Sequence, residues 1–262
     1  MKTKRNRNWY QIKAEGHTAE ILIYSFIGED FFDGGISAKG LLQAIEDLGE
    51  VTEINVRINS PGGDVFDGVA IHNALERHPA TINVHIDGLA ASIASVIAMA
   101  GDTILIASNA LMMIHNPHAF AIGDAAEMRK TADLLDKAKE GLVSSYLAHV
   151  GDVMEREEIE AFMDDTTWFT AEEAVAAGLA DEVGNAVKIA AHFDLKQLHY
   201  SNIPEALKNK EPTKEILQAV VGRSVDRHGV VSCDPEPKHG MTVSQARKKL
   251  QLCETVSKEA PQ

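Results

Sequence analysis

Hydrophobic and polar positions fall in short blocks that read in turn as strand and helix. Residues 19–26 (AEILIYSF) are β-rich, and residues 52–59 set Ile54, Val56 and Ile58 against polar neighbours with the period of two of a half-buried strand. Between them Leu41, Leu42, Ile45 and Leu48 recur at helical spacing after a capping Ser37, and Gly49 ends the run. The unit then repeats. Val65, Val69, Ile71 and Leu75 predict a helix over 64–77, TINVHI a strand over 81–86, and the small and apolar residues 90–100 a buried core helix. Two further strands follow at 103–107 and 111–114. Strands alternating with helices at this rhythm predict right-handed crossovers and a layered, mainly parallel α/β sheet.

Residues 124–149 continue as one long helix with Met128, Leu135, Leu142 and Tyr146 on a single stripe, long for a domain of this size. An acidic helix follows over 155–163, its carboxylates read as a solvated face. A short helix after Thr170 stops at Gly178 ahead of an edge strand. Beyond Tyr200 prolines and charges dominate and the periodicity fades, which marks an appended, partly disordered tail.

The 262 residues carry a formal charge of −14, which argues against a broad grip on nucleic acid, since phosphate binding needs clustered Lys and Arg. The basic start (Lys2, Lys4, Arg5, Arg7) leads into Asn8, Trp9, Tyr10 and Gln11 instead of an apolar stretch, so no signal peptide is expected. The most apolar region, 88–101, is too short to span a bilayer and contains Ser92 and Ser95. Cys233 and Cys253 lack a C-x-x-C partner or a histidine at zinc spacing, so no metal site and a reducing compartment are expected.

Three segments could carry chemistry. Asn59-Ser60-Pro61-Gly62-Gly63 lies between a strand and a helix, where paired glycines let backbone N–H groups turn toward an anion; a plain turn is the competing reading. Ser92, in Gly88-Leu89-Ala90-Ala91-Ser92-Ile93-Ala94, stands where strand gives way to helix among residues too small to cover it. It is either a helix cap or a nucleophile whose oxyanion meets the Ile93 N–H. His115 leaves a strand in Met112-Met113-Ile114-His115-Asn116-Pro117, at the end of a parallel sheet where site residues gather, and a serine hydroxyl needs such a base at neutral pH. Asp164 and Asp165 are candidates to orient that histidine, although an acidic pair near a helix is also ordinary capping chemistry.

In series, INSPGGDVFDG, GLAASIAS, MIHNP and TWFTAEEAVAAGLADEV resemble the ClpP family of self-compartmentalised serine peptidases over about residues 19–187. AEILIYSFIGED, GLAASIASVIAMAGD and the Thr-Trp before the last helix look most like the phage-encoded, ClpP-related head maturation proteases. The resemblance implies a ClpP/crotonase-like α/β fold: a layered β-sheet of repeated β-α units, a long handle helix over 124–149 and a C-terminal tail. It divides the chain into an N-terminal segment 1–18, a peptidase domain 19–200 and a tail 201–262. It makes Ser92 the nucleophile, His115 the base, and the Gly63 and Ile93 amides the oxyanion hole.

The same resemblance implies a homo-oligomeric ring, a heptamer or stacked rings, acting on proteins or peptides with no cofactor. An AAA+ unfoldase or phage capsid proteins are its candidate partners, in the bacterial cytoplasm or the phage procapsid. The departure is at the acid, because Thr166 falls where the family has an acidic residue. Either the loop shifts by one and Asp165 serves, or Asp164 does, or the triad is incomplete; Asp165 is the favoured acid. Rival readings are a Ser-Lys peptidase, opposed by the absence of any Lys between Ser92 and His115, an acyl-CoA hydratase or isomerase, and a non-catalytic ring or scaffold protein of a phage particle.

Overall fold

A computed structural model of the chain describes residues 12–28, 38–188 and 200–204. Its centre is a ladder of parallel strands, β2 (Thr18–Ile23), β3 (Glu53–Ser60), β4 (Thr81–Ala91) and β5 (Thr103–Ala107). The period-two pattern decides which face is buried. Ile21 and Ile23, Ile54, Val56 and Ile58, Ile82, Val84 and Ile86, and Ile104 and Ile106 are all buried and belong to one core with Leu41, Ile45, Ile71, Leu75, Ile93 and Ile97. Those last six come from the helices that follow the strands, α1 (Ala38–Glu46), α2 (Val65–Glu76) and α3 (Ile93–Ala98). The alternate residues of β3 and β4 form a half-buried polar face, where Glu53 accepts from Asn55 and Asn83 and Asp87 holds Arg57 in a two-point ion pair. Tyr24 also hydrogen-bonds Asp87, and burial together with that carboxylate pushes its pKa up to about 12.

Two edges close the ladder. The strand β1 (Ile12–Glu15), inside the segment expected to precede the domain, runs antiparallel to β2. At the other end β8 (Glu182–Gly184), the expected edge strand, runs parallel to β5, after a helix α6 (Ala171–Ala176) and a left-handed Gly178.

β4 organises the site. Its first half pairs with β5, but beyond Gly88 it changes neighbour, and Leu89–Ala91 pair with β6 (Leu111–Ile114), itself antiparallel to β7 (Thr167–Thr170). The sequence pattern predicted helix from residue 90; the structure instead keeps Ala90 and Ala91 in the strand and starts α3 at Ile93. Those alanines are ladder partners of Met112 and Met113, and Ala90 also of Ser60, so pairing on both sides outweighs the helix propensity of a small-residue run.

The long helix α4 (Ala125–Val150) begins at a capping box in which Asp124 accepts from the Ala126 and Glu127 amides and Glu127 accepts from the Asp124 amide. Its last turns bury Leu142, Val143, Tyr146 and Val150. The expected stripe is buried only at Leu142 and Tyr146, because Leu135 is half-buried and Met128 is 38% exposed. The acidic helix α5 (Arg156–Asp164) buries Ile159 and Met163 and leaves Glu157 and Glu158 in solvent, as a solvated face should. Among the described residues no helix is long and apolar enough to cross a membrane. The tail expected from 201 onward lies outside the described residues beyond Pro204, as does the Ser37 cap.

Gly68 is the closest point between α2 and α3: a Cβ there would stand 2.1 Å from Ile93 Cγ1. Gly68→Ala gains about 1 kcal/mol of helix propensity but forces α2 off α3, and overpacking of this kind costs about 1–3 kcal/mol. Denaturant unfolding should therefore show net destabilisation; an unchanged or raised midpoint would mean that α2 shifts freely.

Candidate active site

Ser92 links β4 to α3 with φ 57° and ψ −130°, a conformation that L-residues seldom adopt. The surroundings hold it there. Its amide donates to the Met113 carbonyl at 2.9 Å, and its carbonyl accepts from the Ser95 amide at 3.0 Å and the Ser95 hydroxyl at 2.6 Å. Ser95 is in turn bonded to the Tyr146 hydroxyl at 2.8 Å, both fully buried, which ties the turn to the end of α4. The Ser92 side chain makes no capping bond to α3. Its Oγ lies 2.7 Å from His115 Nε2 instead, so this helix-start serine faces a base and not its own helix.

His115 reaches that place through register. Met112 and Met113 pair with Ala90 and Ala91, so the residues that follow each strand emerge side by side. Burial pushes the His115 pKa down to about 4, with the neighbouring charge of His118 adding to it; their ring centroids are 5.3 Å apart. The imidazole is therefore neutral at pH 7 and free to accept a proton.

The glycine loop stands against the same serine. Ser60 Oγ donates to the Ser25 carbonyl at 2.6 Å and accepts from the Gly62 amide at 3.1 Å. Ile27 donates to Gly62 O at 2.9 Å, and the Asp64 amide donates to Ile27 O at 2.7 Å. Ile27 thus forms a parallel bridge opposite Gly63, a pattern that turns the Gly63 N–H away from Ile27. A Cβ on Gly63 would sit 1.9 Å from Ile27 O, and one on Gly62 2.7 Å from Ser92 Cβ, so both positions need glycine. On the other side of Ser92 the Ile93 amide opens α3, where no acceptor exists within the helix.

The structure does not bring the favoured acid to the histidine. Asp165 is the exposed C-cap of α5, and its carbonyl accepts from Asn202 Nδ2 at 2.7 Å. Asp164 accepts from Lys139 Nζ at 2.5 Å and Asn116 Nδ2 at 2.7 Å, and these bonds hold its carboxyl below the usual carboxylate range. Thr166, at the family's acidic position, takes a left-handed φ of 52° that turns the chain from α5 into β7. Among the described residues no carboxylate hydrogen-bonds the His115 ring.

Three residues not expected near the dyad border it: His118, Trp168 and Tyr200. His118 flanks His115. The Tyr200 ring meets His115 edge-on at 5.1 Å and Trp168 at 6.4 Å, and its hydroxyl donates to Pro61 O at 2.5 Å. Burial pushes the Tyr200 pKa up to about 12, with the adjacent Ser92 hydroxyl pulling the other way. A second histidine in MIHNPH was a legible hint of His118; nothing local announces Tyr200, which reaches Pro61 across 139 positions.

The chain matches the family model for Clp protease over residues 5–187. It is also 32% identical over 158 residues to ATP-dependent Clp protease proteolytic subunit 1 of Leifsonia xyli subsp. xyli (strain CTCB07), an alignment covering 60% of this chain and 78% of that protein. With β-α units, a glycine loop pinned beside Ser92 and a serine-histidine pair at the turn between β4 and α3, the chain belongs to the Clp protease family and is a ClpP-family serine peptidase.

Proposed function

We propose that the chain is an endopeptidase that hydrolyses peptide bonds through an acyl-enzyme on Ser92. The observation that carries this reading is the 2.7 Å contact between Ser92 Oγ and His115 Nε2, on a strained turn where the hydroxyl caps nothing. In the acylation step Oγ attacks the scissile carbonyl and its proton passes to His115 Nε2. The Gly63 and Ile93 amides serve as the donors for the oxyanion that forms. Collapse expels the amine, which takes the proton from His115, and water then hydrolyses the ester by the same route in reverse.

This chemistry runs on a dyad in the chain as described. Asp165 completes a triad only if its loop rearranges, and the two cases give different mutant kinetics. Ring assembly is expected of the family, and α4 supports it: Phe120 (90% exposed), Ile122 (85%), Met128 and Leu134 present apolar surface toward and along its N-terminal half, which the described residues leave uncovered. Proteins or peptides are the substrates. The name of the Leifsonia relative supports delivery by an ATP-driven unfoldase, whereas the motif details AEILIYSFIGED and GLAASIASVIAMAGD support head maturation with phage capsid proteins as partners. Either setting places the protein in the bacterial cytoplasm or the procapsid. The bare His115 ring favours one second reading, a ring protein that has lost catalysis.

Ser92→Ala and His115→Ala should each lower peptide hydrolysis by several orders of magnitude with the fold intact by circular dichroism. Wild-type turnover in purified Ser92→Ala would remove the nucleophile assignment. If the dyad operates, Asp165→Asn changes turnover by less than about ten-fold; a loss of about 10⁴ would show that the acid reaches the ring during catalysis.

The neutral base also sets a pH dependence. Enclosed as described, with its pKa lowered to about 4, the histidine stays unprotonated above that pH, so the acid limb of kcat/KM should lie below the ordinary histidine value, near pH 4 while the ring stays covered and higher to the extent that Tyr200 leaves it. A limb near the ordinary histidine value of 6.5 would mean a solvated ring in the working enzyme. Sedimentation should give an assembly well above the 28.4 kDa of one chain, and a stable monomer would count against the ring.

A further inference from the structure

Tyr200 sits against the catalytic pair, and the segment Tyr200–Pro204 that carries it is fastened at three points. The Tyr200 hydroxyl donates to Pro61 O at 2.5 Å, Trp168 Nε1 donates to Ser201 O at 3.1 Å, and Asn202 Nδ2 donates to Asp165 O at 2.7 Å. The Tyr200 ring abuts His115 edge-on at 5.1 Å and lies 6.5 Å from His118, and its phenol is a polar neighbour of Ser92. The contact is made by a side chain. A phenol offers Ser92 no carbonyl to acylate, so the segment is not held as a substrate.

Space and hydrogen bonding make the contact exclusive. A scissile carbonyl must come within about 3–3.5 Å of Ser92 Oγ to be attacked, in the region between Ser92, His115 and the glycine loop. Tyr200 stands in that region and also takes up the Pro61 carbonyl, an acceptor on the loop that borders it. We propose that the Tyr200–Pro204 segment is an intramolecular plug that competes with peptide for the Ser92 site, so that substrate is hydrolysed only by the fraction of chains in which Tyr200 has swung out. The proposal rests on the Ser92 and His115 reading above and adds a regulatory element to it. The three fastenings end on Pro61, Trp168 and Asp165, whereas the phenol also meets the Ser92 hydroxyl and the ring meets His115, so departure of Tyr200 frees both members of the dyad at once.

A plug of this kind has a kinetic signature. Peptide binds only the open fraction, so the apparent KM is raised by the closed-to-open ratio, while at saturation every chain is open and kcat is unaffected. With nine chains in ten closed, Tyr200→Ala should lower KM for a fluorogenic peptide amide about ten-fold and leave kcat within two-fold. Asn202→Ala, which loosens the strap away from the dyad, should shift KM in the same direction, and Tyr200→Phe, which keeps the ring but not the Pro61 bond, should fall between it and wild type.

The measurement is a Michaelis analysis of the full-length chain and these variants, with Ser92→Ala alongside. A drop in kcat at constant KM in Tyr200→Ala would overturn the plug and make Tyr200 a positioning residue for the His115 ring. Unchanged constants in both Tyr200→Ala and Asn202→Ala would overturn it as well. If Tyr200→Ala does not fold, Asn202→Ala alone decides by the same criterion. Failure of the underlying reading looks different: Ser92→Ala would keep wild-type turnover, which overturns the nucleophile and the plug together, whereas an inactive Ser92→Ala beside unchanged Tyr200 and Asn202 variants overturns the plug alone.

Discussion

The backbone of Ser92, at φ 57° and ψ −130°, costs on the order of 1–3 kcal/mol, and much of the architecture around it maintains that conformation. β4 must end at Ala91 and α3 begin at Ile93 with a single residue between them, and only a sharp reversal of this kind connects the two. The Met113 carbonyl fixes one side of the turn and the Ser95 hydroxyl the other, with Tyr146 behind Ser95 in the core. A serine at this point cannot cap its own helix. The strain therefore has a chemical result: Oγ is projected from the sheet toward the residue that leaves the neighbouring strand, and the register of β4 with β6 makes that residue His115.

The electrostatics of the pair follow from the same enclosure. Burial and His118 keep the imidazole neutral, which leaves Nε2 free to accept the Ser92 proton but makes the imidazolium expensive once formed. A carboxylate on the other ring nitrogen would offset that expense, and in a triad its loss costs about 10⁴ in turnover. Here Asp164 is committed to Lys139 and Asn116, and Asp165 faces solvent at the end of α5. Both acids close α5, and the left-handed turn at Thr166 then carries the chain into β7, which pairs with β6.

What the sequence made legible was local or repeated. Period-two isoleucines marked β3 and the first half of β4, the long helical pattern from 124 marked α4, and the glycine pair marked the loop. Ser92 and His115 stood out as chemistry at strand ends. The end of β4 was misread because Ala90 and Ala91 favour helix in isolation and are held in strand by β6, Ala90 also by Ser60 of β3, partners that only the fold supplies. Asp165 was favoured from proximity in sequence to the family's acidic position, yet the fold makes it the exposed C-cap of α5, engaged through its carbonyl and not through its carboxylate. Tyr200 was invisible for a simpler reason: its partners Pro61, His115 and Trp168 belong to three separate elements, and no pattern near residue 200 encodes them.

The central claim is that Ser92 is a nucleophile activated by His115. Intact-protein mass spectrometry after treatment with a fluorophosphonate tests it most directly, since such a probe reacts with an activated serine and not with an ordinary one. The account predicts one adduct per chain, mapped by peptide digestion to Ser92, and its loss in His115→Ala. A chain that stays unmodified, an adduct at another serine, or equal labelling of Ser92 with and without His115 would contradict it.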